Sequence, residues 1–159
     1  NTTTGYAYGL LFGLADDFSE YYMFAVNSDN QAYSLYYRGP NGIQTLLDWS
    51  YSSMIHPAAP NKLKVTRAGS EIILEINGAW VNSYTDTHIT GFTKVGLFNI
   101  PYSDLPNADA RYDNFTVRLL PGTVSQPEAV MNQSTAGLPW VRQTIDFERL
   151  EGASLPTGE

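Results

Sequence analysis

The chain has 159 residues, enough for one domain with its own core, and 9 Lys and Arg against 16 Asp and Glu give a net charge of −7. That balance lacks the basic stripe that nucleic acid requires and the cationic face that an anionic membrane attracts. Cys is absent, which excludes disulfides, thiolate catalysis and zinc–thiolate or iron–sulfur sites, and no apolar run reaches the roughly 18 residues of a membrane span.

Aromatic residues make up 13% of the chain and charged residues 16%, a composition of tyrosine-rich β structure rather than disorder. Tyr6 to Leu14 alternates, with Tyr6, Tyr8, Leu10, Phe12 and Leu14 on one parity and mostly small residues on the other. Period two over nine residues predicts a strand. Asp16 to Ser19 reads as a turn. Tyr21 to Ser28 is apolar on both parities, as in a central strand covered on both faces. Asn27 to Asn30 turns into a third strand, Ala32 to Arg38, with Tyr33, Leu35 and Tyr37 on one side. Gly39-Pro40-Asn41-Gly42 breaks it, and Ile43 to Trp49 is the fourth. Short turns between these four predict an antiparallel meander.

Ser50 to Pro60 lacks periodicity and reads as a surface loop. Leu63 and Val65 alternate with Lys62, Lys64 and Thr66. Ile72, Leu74 and Ile76 then share one face of Glu71 to Ile76, and Asn77-Gly78 leads into Ala79-Trp80-Val81. Asn-Gly between extended runs is a hairpin signal, because both turn positions need φ > 0. Tyr84 to Phe92 reads as polar connection. Lys94 to Ile100 and Arg111 to Leu120 are further strands, with a loop over 101–109. Residues 121–139 have a linker composition. Trp140 to Leu150 alternates again, and a polar tail follows. No stretch of twelve residues shows clean helical periodicity. About nine short strands predict an all-β antiparallel sandwich over 1–120, with 140–159 a terminal strand and tail.

Three N-x-S/T sequons mark Asn1, Asn114 and Asn132 as candidate glycosylation sites. The chain opens on Asn1 without a charged and apolar leader. The expectation is a removed leader or an excerpt of a longer protein.

Several segments together resemble the concanavalin A-like lectin/glucanase β-sandwich, in its laminin-G-like form. They are Asn61, Leu63 and Val65, then Gly69, Ile72 and Ile76, then Asn77-Gly78, Lys94 to Phe98, and Asp113 to Phe115. The resemblance covers about residues 6–120. It implies a jelly-roll sandwich from a secreted or cell-surface protein, binding carbohydrate or neighbouring protein modules. Modules of this kind have further strands before the position of Tyr6. The sandwich is therefore expected to be incomplete on its N-terminal side, with 140–150 supplying a strand in cis or in trans. Exchange between chains would give a homo-oligomer or filament.

Glucanases of this fold carry a Glu-x-Asp-x-x-Glu strand motif. The chain has none, and Glu71 and Glu75 fall opposite the apolar parity of their strand. No nucleophile elbow, P-loop or dinucleotide fingerprint occurs, and His56 and His88 lack a paired spacing. A non-catalytic module without cofactor is expected; the alternative is a fragment of a glycoside hydrolase-like enzyme. The resemblance also allows a structural Ca²⁺, with Asp16, Asp17, Glu20, Asp104, Asp109 and Asp113 as oxygen donors; turn capping is the competing role. For sugar binding the expected residues are Tyr37, Arg38, Asp48, Trp49 and Trp80, with Tyr36 and Tyr51 nearby. They combine flat apolar faces with groups that bond hydroxyls.

Overall fold

The computed structural model describes residues 6–89, 94–101, 110–120 and 142–148. Ten strands follow in chain order: β1 Tyr6–Leu14, β2 Tyr21–Asn27, β3 Ala32–Gly39, β4 Gly42–Tyr51, β5 Lys62–Ala68, β6 Glu71–Ile76, β7 Ala79–Thr85, β8 Lys94–Pro101, β9 Asp113–Leu120 and β10 Arg142–Glu148. No helix occurs among the described residues, so none there is long and apolar enough to cross a membrane.

The strands form two five-stranded antiparallel sheets, ordered β4-β3-β2-β1-β8 and β7-β6-β5-β10-β9. The architecture is all-β and sandwich-like. The first sheet is the expected meander of β1 to β4, closed on its other side by β8. Alternation turns Tyr8, Leu10 and Phe12 of β1 inward, with Tyr22, Phe24 and Val26 of β2 and Tyr33, Leu35 and Tyr37 of β3. The second sheet answers with Leu63, Val65, Ile72, Leu74 and Ile76. All these residues are buried, and each fully buried large side chain stabilises by about 1.5–3 kcal/mol.

Turn chemistry follows the sequence. Asn77 has φ 53° and Gly78 has φ 81°, as a two-residue primed turn between β6 and β7 requires. Gly13 has φ 64° and sits where the β1–β8 register shifts between Phe12 and Leu14. The Ser50–Pro60 loop starts later than expected, since β4 runs through Tyr51. Tyr84 and Thr85, expected to open a polar connection, extend β7 instead. This strand is the edge of its sheet, so half-exposed Asn82 and exposed Ser83 are tolerated on it.

Asn61 holds the 52–60 loop. Its amide is buried and donates to His56 O at 2.8 Å and to Tyr8 Oη at 3.1 Å. Its Oδ1 accepts from the His56 amide at 2.8 Å and from Asn77 Nδ2 at 2.9 Å. Asn77 Nδ2 in turn reaches Met54 O at 2.6 Å. Two residues that carried the family resemblance thus fix one corner of the fold.

β10 does not add to an open sheet edge. It lies between β5 and β9, registering Ile145 opposite Val65 and Val117, and Phe147 opposite Leu63. The chain's own terminal strand therefore joins the second sheet in cis. The segment 121–139, expected to be a linker, and residues 149–159 lie outside the described residues.

Candidate functional site

The five residues expected to bind sugar do not form one site. Tyr37 is 7% exposed and belongs to the core, with its ring 5.6 Å from Tyr22 and stacked 4.2 Å from His88. This corrects the expected ligand role: Tyr37 shares the inward parity of Tyr33 and Leu35. Trp80 lies on edge strand β7 of the second sheet, 64% exposed. Arg38 and Asp48 are exposed and Trp49 is half-buried, all on β3 and β4 at one edge of the first sheet.

Tyr36 and Trp49 meet on the outer face of that sheet, a face that Arg38 shares. Tyr36 and Arg38 have the parity opposite Tyr37, and the Trp49 ring meets Tyr36 edge-on at 6.4 Å and 67°. Asp48 lies where the β3–β4 register shifts between Tyr33 and Leu35.

The same face carries a row of small residues. Gly9 registers with Ala25, and Ala25 with Ser34. All three are buried although they face away from the core. Phe98 registers with Gly9 at one end of the row. Its ring closes on Gly9, where an added Cβ would overlap the Phe24 carbonyl and press on Phe98. Trp49 stands at the other end. Between Phe98 and Trp49 the row spans five strands, about 19 Å at 4.8 Å per strand. Half-buried Leu11, Met23 and Tyr36 occupy the adjoining row.

A second polar centre lies at one end of the sandwich. Asp86 follows β7 and is 6% exposed. Its Oδ1 accepts from the Tyr22 hydroxyl and from the His88 amide at 2.8 Å, and its Oδ2 meets His88 Nδ1 at 2.8 Å. Burial pushes the Asp86 carboxyl upward, but the Tyr22 and His88 hydrogen bonds prevail and hold it below its ordinary value. Burial, then the Asp86 contact, pushes the Tyr22 phenol well above its usual range. Tyr37 is also raised, by burial and then by Glu20. No spacing signal marks this centre, because Tyr22 and Asp86 are 64 residues apart.

The remaining carboxylates act locally. Asp17 accepts from the Ser19 amide at 3.0 Å and hydroxyl at 2.6 Å, contacts that hold its carboxyl below the ordinary value. Asp16 pairs with Lys94 at 3.0 Å, and Asp113 accepts from the Asn114 amide at 2.8 Å. Among the described residues no three His, Asp or Glu side chains gather as a metal-binding group. Asp104 and Asp109 lie outside the described residues. Glu75 pairs across strands with Lys64 at 2.5 Å. Of the three sequons, Asn114 is exposed on β9 with φ 55°; Asn1 and Asn132 lie outside the described residues.

Comparison with known proteins found no matching family model, no matching curated protein and no matching solved structure.

Proposed function

We propose that the chain is a non-catalytic carbohydrate-binding or adhesive module of a secreted or cell-surface protein, built as a concanavalin A-like jelly roll. The observation that carries this reading is the outer face of the first sheet at its β3–β4 edge. It offers half-buried aromatic surface at Trp49 and Tyr36, with the exposed Arg38 donors on the same face. Aromatic rings pack on the C–H faces of a sugar, and guanidinium N–H groups bond its hydroxyls. The sequence resemblance points the same way, as an analogy of fold.

A glycan array probed with the chain and with Trp49→Ala tests this. The reading expects retention of a subset of glycans, lost at least tenfold in the variant. Glycan hydrolysis that disappears on mutating a carboxylate within 1–120 would instead establish the glycosidase alternative. No retention on any glycan would remove the sugar-binding reading.

The placement of β10 favours a second reading, a structural subunit assembled by strand exchange. A strand 21 residues beyond the end of β9 occupies the middle of a sheet, the arrangement from which a neighbour's strand can substitute. Concentration-dependent polymers that vanish on deleting 139–159 would support it.

A further inference from the structure

Asn-Gly occurs twice in the chain, at Asn41-Gly42 and at Asn77-Gly78. This dipeptide loses its side-chain amide readily, because glycine has no Cβ to hinder its own amide nitrogen. That nitrogen attacks the asparagine Cγ, the Cγ–Nδ2 bond breaks, and ammonia leaves as a five-membered succinimide closes. One water then opens the ring at either carbonyl, giving aspartate or isoaspartate. Water is consumed and ammonia released, with no change of oxidation state. The attack needs the side chain to swing its Cγ onto the following amide, so whatever holds the side chain sets the rate.

The two copies are held differently. Asn77 Oδ1 accepts from the Lys62 amide at 2.7 Å. Its Nδ2 donates to Met54 O at 2.6 Å and to Asn61 Oδ1 at 2.9 Å. Its main-chain amide also donates to Lys62 O at 2.8 Å. The side-chain bonds must break before Cγ can turn toward Gly78. Asn41 lies at the tip of the β3–β4 hairpin, just beyond the paired Gly39 and Gly42, and is exposed. Among the described residues none hydrogen-bonds to its side chain. The space beside Gly42 is open, with no atom within 4 Å of where a Cβ would stand.

We propose that Asn41 is a site of spontaneous deamidation in the folded chain, and that the contacts of Asn77 shield the second copy. The product at 41 is a carboxylate at the tip of the hairpin that carries Arg38, where no fold contact is lost. The same product at 77 would set an oxygen against the Met54 carbonyl and forfeit the donors that tie down the 52–60 loop. This inference stands or falls independently of glycan binding.

The test ages the full chain in mildly alkaline water enriched in oxygen-18, once folded and once in guanidinium chloride. Trypsin then separates residues 39–62, with Asn41, from residues 68–94, with Asn77. Fragment masses locate the incorporated label and tell aspartate from isoaspartate. In the folded chain Asn41 should convert to both products at least tenfold faster than Asn77, and in guanidinium chloride the two rates should converge. Asn41→Asp should keep the parent melting temperature, and Asn77→Asp should lower it. Equal conversion of the two in the folded chain, or an Asn41 that stays intact there while converting in denaturant, would overturn the proposal. So would an Asn77 that stays slow in denaturant, since its protection would then not come from the fold.

Discussion

The two sheets bury different chemistry. The first turns tyrosine and phenylalanine inward, at Tyr8, Phe12, Tyr22, Phe24, Tyr33 and Tyr37. The second turns in branched aliphatics at Leu63, Val65, Ile72, Leu74 and Ile76. Aliphatics need only volume, whereas each buried phenol must also satisfy its hydroxyl. Three of these hydroxyls reach across to the second sheet or its loops. Tyr8 meets Asn61 at 3.1 Å, Tyr22 meets Asp86, and Tyr33 donates to Val81 O at 3.0 Å. The aromatic sheet thus fastens itself to the aliphatic one at three points, where dispersion alone would set no register.

The sheets also differ in connectivity. Four strands of the first follow one another through short turns, while β10 of the second arrives from far along the chain. Deleting 142–159 breaks that difference most severely. It removes the ladders of β10 to both β5 and β9. The expected cost is several kcal/mol, a fall in melting temperature of about 10 °C by calorimetry. Hydrogen exchange should show β5 losing protection while β2 and β3 keep theirs.

Asn61→Ala removes the next largest share. It removes the acceptor of the part-buried His56 amide and the buried donor to the Tyr8 hydroxyl, which keeps its Ser28 contact, and about 1–3 kcal/mol of stability should be lost in urea unfolding. Tyr22→Phe deletes a single hydroxyl and should cost about 1–2 kcal/mol at pH 7. The Asp86 carboxyl is depressed in the folded chain. Its contribution is complete above the unfolded value of about 3.9 and disappears as pH falls through the lower folded value. Asp86→Asn should therefore flatten the acid limb of a stability–pH curve, read by melting temperature from pH 2 to 7. Trp80→Ala, on the exposed edge of the second sheet, should change stability by less than about 0.5 kcal/mol.

Much of the first sheet, and the β6–β7 hairpin of the second, was legible in the residues. The parity of Tyr6 to Leu14 and the Asn77-Gly78 turn report backbone geometry that needs only near neighbours. The alternation already set Tyr37 with Tyr33 and Leu35, but it did not say which face of the strand is the core, so Tyr37 was also offered as a ligand residue. The polar end of β7 was missed because an edge strand keeps little apolar alternation. Asp86 carried no local signal. Its burial comes from strands brought together by the whole fold, and the centre it helps form joins residues from both sheets.

A double-mutant cycle across the Tyr22–Asp86 contact tests the fastening of the two sheets most directly. Tyr22→Phe, Asp86→Ala and the double variant are compared by urea unfolding at pH 7. A coupling energy of about 1–2 kcal/mol is predicted, since both single changes break the same buried bond. Additivity within about 0.3 kcal/mol would contradict it, since the contact would then contribute nothing to holding the sheets together.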